Sequence, residues 1–202
     1  MFAHVPKVLK KIFPALIWDF PNEASAVFLT FDDGPNPETT PWVLDTLAKY
    51  NAKGTFFCLG KNVEQHPDTF KLIVDSGCAV GNHTYSHQKG WGMSTGAYVE
   101  DVDLADAFIG SQLFRPPYGR IRANQVRVLA ERYKIIMWSV LSMDYSRRIS
   151  RTACANTVIN LARPGAIIVF HDSLKAFSNL RYALPASLDF FARQGWEAKA
   201  IE

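Results

Sequence analysis

Short apolar runs alternate with longer amphipathic stretches along almost the whole chain. "AVFLTF" (26–31) is apolar apart from one threonine, which predicts a strand buried on both faces. A turn follows, then "PETTPWVLDTLAKYN", where Thr39 or Thr40 is placed to cap a helix opening at Pro41. "GTFFCLG" (54–60) predicts the second strand, "DTFKLIVDSG" a helix closed by Gly77, and "CAVGNH" a third strand. In "STGAYVEDVDLADAFIG" the residues Tyr98, Val99, Val102 and Leu104 recur at approximately helical spacing with acids between them. "QLFR" reads as a short strand, "ANQVRVLAERY" as a helix and "KIIMWSV" as one further strand. "TACANTVINLA" predicts a helix and "GAIIVFHD" a strand. "LRYALPASLDFFARQG" predicts a helix interrupted by, or starting near, Pro185, and "WEAKAI" closes the chain as a strand.

This alternation means a parallel sheet with crossover helices, either open and doubly wound or closed as a barrel. No repeat, low-complexity tract or linker interrupts residues 26–202, so they are expected to form a single α/β domain behind an N-terminal extension, residues 1–25. That extension imitates a signal peptide. Lys7, Lys10 and Lys11 precede "IFPALIW", but the apolar run is short, contains Pro14 and lacks a small-residue cleavage site. No stretch approaches the roughly 20 apolar residues of a spanning helix. A short capping helix or surface segment, and a cytoplasmic protein, are the expectations.

Composition narrows the picture modestly. Hydrophobic residues make up 48% and charged residues 20% of the chain, as in an ordinary globular protein. A net charge of +3 without a dense basic stripe argues against nucleic-acid binding. Cys58, Cys78 and Cys154 are odd in number and widely spaced, which suggests neither a disulfide framework nor a cysteine metal site.

The unusual polar residues all fall at the carboxyl ends of predicted strands. Asp32 and Asp33 end the first, His83 and His87 follow the third, Arg115 and Tyr118 the fourth, Asp144 the fifth, and His171 with Asp172 the sixth. That edge is where parallel α/β folds assemble their sites. His83 and His87, four apart, reach one side from a helical turn or a compact loop. Two imidazoles and a carboxylate are a frequent ligand set for catalytic zinc. A cation would also explain the adjacent aspartates: it neutralises one, so that the other stays ionised and able to take a proton.

"TFDDGP", "NHTYSH", "RPPYG" and "IIVFHD", in this order, resemble the signature motifs of the polysaccharide deacetylases with a NodB homology domain (carbohydrate esterase family 4-like). The resemblance runs from about Val27 to the C-terminus. It implies a distorted (β/α) barrel of about seven parallel strands and metal-dependent hydrolysis of acetyl groups on N-acetylated glycans or oligosaccharides. By the same resemblance Asp33, His83 and His87 hold a divalent metal, zinc most often, with cobalt, nickel or manganese as alternatives. Asp32 becomes the general base, Arg115 its partner, and His171 the acid that protonates the leaving amine. The Tyr118 backbone N–H would face the oxyanion, while Trp138 and Val169 line an acetyl pocket. Trp91, in "GWGMSTG", stands on a rim loop where it either stacks on a sugar or packs inward. The basic rim of Arg147, Arg148 and Arg151 reads as a solvated face, and Asp172 as a turn or cap residue.

One position departs from the family pattern. Many relatives carry Asp where this chain has Leu141, and Trp where it has Tyr145; that Asp orients and charges the catalytic histidine. His171 is then either supported by nearby Asp144 or left without support and weakened. Alternatives to a glycan deacetylase are a small-amide hydrolase of the same superfamily and a glycan-binding pseudoenzyme.

Overall fold

The computed structural model describes residues 13–202. The predicted capping helix or surface segment, and Lys7, Lys10 and Lys11, lie wholly or partly outside them. Sixteen regular elements follow in order: β1 (Leu16–Ile17), β2 (Ala26–Asp32), α1 (Thr40–Lys49), β3 (Thr55–Cys58), α2 (Gly60–Gln65), α3 (Pro67–Asp75), β4 (Ala79–Asn82), α4 (Thr95–Ile109), β5 (Leu113–Phe114), α5 (Ala123–Leu129), β6 (Lys134–Ile136), β7 (Val140–Leu141), α6 (Arg151–Leu161), β8 (Ile167–His171), α7 (Leu174–Arg193) and β9 (Glu197–Lys199).

The strands form one parallel sheet in the order β1-β6-β5-β4-β3-β2-β8-β7, with β9 pairing with the first half of β2 and β3 with its second half. This is a distorted (β/α) barrel of short parallel strands in a single domain. "KIIMWSV" is two strands rather than one. β6 lies next to β1 near one end of the sheet and β7 lies at the other end, so Met137–Ser139 carries the chain across the opening of the curl. The Arg115 side chain takes the carbonyls of Ile136 and Met137, and Ser139 N–H donates to Ile167 O, which is why the ladder switches neighbour there. The seam is further laced by Phe20 N–H on Gly165 O and a bridge between Asp19 and Ala166. Leu16 and Ile17, expected in an extension, are thereby part of the sheet.

Period-two alternation sorts β2 into two layers. Val27, Leu29 and Phe31 pack with the helices in one core, while Phe28 joins Phe57, Trp138, Ile167 and Val169 in the other. Thr30 and Asp32 therefore share the inner face with Phe28. Helix α7 runs unbroken through Pro185 from Leu174, contrary to the expected interruption. The lost hydrogen bond and ring clash cost about 3 kcal/mol. Burial of Ala183, Leu184, Leu188 and Phe191 on the same helix outweighs that cost at about 25 cal/mol per Å². α1 begins as expected after Thr39, but no side chain caps it; the hydroxyls of Thr39 and Thr40 are drawn to Asp172 instead.

Candidate active site and metal centre

β2 and β8 run in register with Asp32 opposite His171, so the sheet itself sets these two groups side by side at its carboxyl edge. Arg115, just past β5, is fully buried and stacks on the Phe57 ring at 4.1 Å. Its Nη1 donates to Asp32 Oδ1 at 2.6 Å and to Thr30 Oγ1 at 2.7 Å; Nε and Nη2 reach the carbonyls of Ile136 and Met137 at 3.2 and 3.0 Å. Burial draws the guanidinium below its ordinary pKa, and the Asp32 charge opposes this. Asp32 Oδ2 takes no hydrogen bond from the described residues and is left for a proton.

The metal-ligand candidates converge from two loops. Asp33 turns the chain out of β2 with φ 77°, a left-handed conformation rare outside glycine, and Asn62 Nδ2 secures its carbonyl at 2.7 Å. His83 and His87 sit in a compact loop rather than a helical turn: Thr84 (φ 67°) and His87 (φ 60°) bend it, and Thr84 Oγ1 accepts the His87 N–H at 3.0 Å. Left-handed residues gathered at one edge are strain of the kind held at functional sites. His83 Nδ1–H donates to Arg115 O at 2.7 Å, and because a carbonyl only accepts, the lone pair is left on Nε2. Burial lowers the His83 pKa to about 4, chiefly by penalising its charged form, so the imidazole is neutral.

Does this set fit a metal? His83 Nε2 lies 3.9 Å and His87 Nε2 3.2 Å from Asp33 Oδ1, and one ligand atom from each residue lies within 4.8 Å of the others. Tetrahedral bonds of about 2 Å would hold ligand atoms about 3.3 Å apart. The His83 lone pair faces a carboxylate oxygen, an arrangement that a cation between them relieves. Burial works against ionised Asp33, but the His87 hydrogen bond, followed by the charge of His171, holds its carboxyl below the usual range. The donor set fits.

Opposite stands His171. Its Nδ1–H donates to Asp144 Oδ1 at 2.7 Å, and its backbone N–H to Asp144 Oδ2 at 2.8 Å. The buttress expected at Leu141 is therefore supplied by Asp144, and His171 is not unsupported. Burial by itself would lower the His171 pKa; the Asp144 charge and hydrogen bond, with Asp33 and Asp32 behind them, raise it to about 9. Tyr145 packs edge-on against the imidazole at 5.0 Å.

These groups open into one cavity of about 180 Å³, lined by Asp32, Asp33, His83, His87 and His171 on its polar side. Trp138, Leu141, Tyr145 and Val169 make up an apolar side, with Tyr118 and Lys175 also on the wall. The volume suits one small acyl group better than a drug-sized ligand, for which about 300 Å³ is a minimum. Tyr118 has φ 61°, and Gly119 beside it leaves no room for a side chain: a Cβ there would lie 2.7 Å from Trp138. Trp91 is not in this lining. Its indole N–H donates to Ile121 O at 3.1 Å, and Arg120 covers its ring at 5.3 Å, so the structure does not bring it to the site. A larger, open depression of about 580 Å³ beside Tyr50, Lys53 and Trp196 lies at the opposite end of the strands and holds no metal-ligating cluster among the described residues. Asp172 is the residue that sequence reasoning undervalued. It is fully buried, and its pKa is pushed up to about 7 by burial, opposed by the Thr40 hydrogen bond.

The sequence profile of the polysaccharide deacetylase family matches residues 20–135. A peptidoglycan-N-acetylglucosamine deacetylase of Bacillus cereus is 36% identical over 160 residues, covering 76% of this chain and 58% of its own length, so the chain spans somewhat over half of that relative. A second protein of that name from Bacillus cereus is 32% identical over 187 residues, covering 89% of this chain and 87% of its own. A crystal structure of a peptidoglycan N-acetylglucosamine deacetylase bound to a naphthyl-benzamide ligand superposes with a TM-score of 0.86 at 30% identity, covering 98% of this chain and 95% of that one. Sequence, fold and site agree, and the chain belongs to the polysaccharide deacetylase family.

Proposed function

We propose that the chain hydrolyses the acetamide of an N-acetylglucosamine-type unit in a glycan or oligosaccharide, with zinc held by Asp33, His83 and His87. One observation carries the reading: a base paired with a cation (Asp32–Arg115) and a histidine paired with an anion (His171–Asp144) open into the same cavity beside an Asp-His-His ligand set. Two neutral nitrogens and one carboxylate favour zinc among divalent ions. When bound, the metal supplies Lewis acidity toward the acyl oxygen and the attacking water.

The chain's own residues do the rest. Arg115 occupies Asp32 Oδ1 and holds the carboxylate aimed, so Oδ2 accepts the proton of the water. The Tyr118 N–H donates to the oxygen on which negative charge develops. His171, held with its Nδ1–H on Asp144, presents Nε2–H to the departing nitrogen, which must be protonated to leave as an amine. Trp138, Val169 and Leu141 receive the methyl and exclude water. The relatives named for peptidoglycan N-acetylglucosamine support this substrate class. The small-amide alternative has no observation in its favour. The pseudoenzyme alternative has solved counterparts, since a structure described as a family 4 pseudoenzyme from Bacillus anthracis superposes with a TM-score of 0.80 at 28% identity, but the loss that motivated it here is made good by Asp144 beside His171.

The test is metal content of the purified protein, followed by acetate release from chitooligosaccharides, peptidoglycan fragments and small acetamides. Zinc bound with acetate from the glycans supports the reading. Acetate from small amides only, or from nothing while metal is bound, overturns it.

A further inference from the structure

The geometry points to Asp172 as a positioning residue that pins the Asp32–Pro35 turn against the start of α1, and thereby places both the base and the metal-ligating aspartate. The inference rests on the roles proposed above for Asp32 and Asp33. The Asp172 N–H donates to Asp32 O at 3.1 Å, extending the β2–β8 ladder one bond past its last residue pair. Its carboxyl then lies flat over Gly34. A Cβ on Gly34 would fall 2.1 Å from Asp172 Oδ2 and 2.5 Å from Cγ, so the side chain of Asp172 fills the volume that any other residue at 34 would need.

From there it reaches the far end of the loop. Oδ2 accepts from Thr40 Oγ1 at 2.5 Å, and that same hydroxyl accepts the Asn36 N–H at 2.8 Å. The Asp172 carbonyl accepts from Thr39 Oγ1 at 2.6 Å. One residue thus uses its backbone donor, backbone acceptor and side chain to hold both ends of the segment 32–40. Asp33 lies inside that segment in a left-handed conformation, which is uncommon for a residue other than glycine. Asp172 Oδ1 is buried and has no hydrogen-bond partner. A half-satisfied buried carboxyl is destabilising relative to an apolar residue of similar size, so fold stability does not account for its presence. Its placement next to His171, with its N–H on Asp32, ties the acid-bearing strand to the base-bearing turn.

The experiment compares wild type with Asp172→Asn, Asp172→Ala and Thr40→Val, each as the full chain. It reads the zinc dissociation constant by competition with a chromophoric chelator, and kcat and KM for chitopentaose at saturating zinc. Asp172→Ala is expected to weaken zinc binding about 10-fold to 100-fold and to lower kcat with KM unchanged. Asp172→Asn, which keeps an acceptor of the same shape, should stay within about threefold of wild type in both. A wild-type zinc affinity and kcat in Asp172→Ala, with only a lower melting temperature, would overturn the proposal. So would an Asn variant as impaired as the Ala one, since charge rather than placement would then be at issue. Should Asp172→Ala fail to fold, Thr40→Val removes only the hydroxyl, and zinc affinity and kcat unchanged in it would be equally fatal. Failure of the wild type to bind zinc or release acetate would strike the function proposed above, whereas a difference between variants bears on Asp172 alone.

Discussion

Asp144 holds His171 at two points, accepting the imidazole Nδ1–H on one carboxylate oxygen at 2.7 Å and the backbone N–H on the other at 2.8 Å. The carboxylate is buried, so this grip fixes both tautomer and ring orientation. In Asp144→Asn one of the two oxygens becomes an NH₂ that must face a donor. The pKa of about 9 owes its elevation chiefly to the Asp144 charge and hydrogen bond, acting against burial. With its pKa raised in this way, His171 is protonated and competent as an acid at neutral pH. Removing the charge moves the alkaline limb of the kcat profile to lower pH and reduces kcat by about 10²-fold or more at pH 8. The stability linkage has the same sign. A raised histidine stabilises the fold fully below its ordinary value of 6.5, and the contribution fades as pH rises through about 9. A pH–rate profile of the variant with an unmoved alkaline limb would contradict the assignment of His171 as the acid.

Asp32 and Asp33 are neighbours with separable consequences. Asp32→Asn leaves the Asp33, His83 and His87 donors untouched, so the protein should bind zinc normally and lose turnover by about 10²-fold to 10⁴-fold. His83→Ala removes a nitrogen whose orientation Arg115 O fixes, and should lose both zinc and activity. Metal analysis beside acetate release distinguishes the two variants; full turnover in Asp32→Asn would eliminate it as the base.

Where could the sequence be read directly, and where not? Residues 26–31 and 167–170 are continuous apolar runs, and the polar residues that follow them mark the functional edge without further information. The division of "KIIMWSV" was illegible because the carbonyls of Ile136 and Met137 are claimed by Arg115, a side chain some twenty residues earlier in the chain. Leu16–Ile17 is a strand only because β6 lies beside it; two residues after a proline carry no periodicity of their own. Asp172 looked like a turn residue because its partner Thr40 is 132 positions away. What escaped was in each case set by tertiary contact, whereas the ligand and acid–base residues declare themselves by position at strand ends.

Arg115 is fully buried and every one of its side-chain hydrogen bonds is to a group around the site. Its donors serve Asp32, Thr30 and two carbonyls at once, with the Phe57 ring beneath. A lysine ammonium has three donors on a flexible stem and cannot reproduce the planar fork. Arg115→Ala should destabilise the fold by about 3–5 kcal/mol, because it strands a buried carboxylate. Arg115→Lys should recover only part of that loss and little of the turnover. Urea unfolding with parallel acetate assays checks both; a lysine variant of wild-type stability would show that the guanidinium geometry is dispensable.

Leu141 poses the sharpest question, because the family resemblance implies an aspartate there. In this chain Leu141 pairs with Val169 across β7 and β8, is buried, and contributes to the apolar side of the cavity. Restoring the aspartate would not restore a missing function, since Asp144 already occupies both donors of His171. Leu141→Asp would instead set a third carboxylate beside Asp32 and Asp33 with no donor waiting for it. Like charges and desolvation both oppose that arrangement. The expected result is a lower melting temperature, a loss of about 1–3 kcal/mol, and reduced kcat at unchanged zinc affinity. An increase in kcat would mean that Asp144 is an incomplete substitute and that His171 still lacks part of its support.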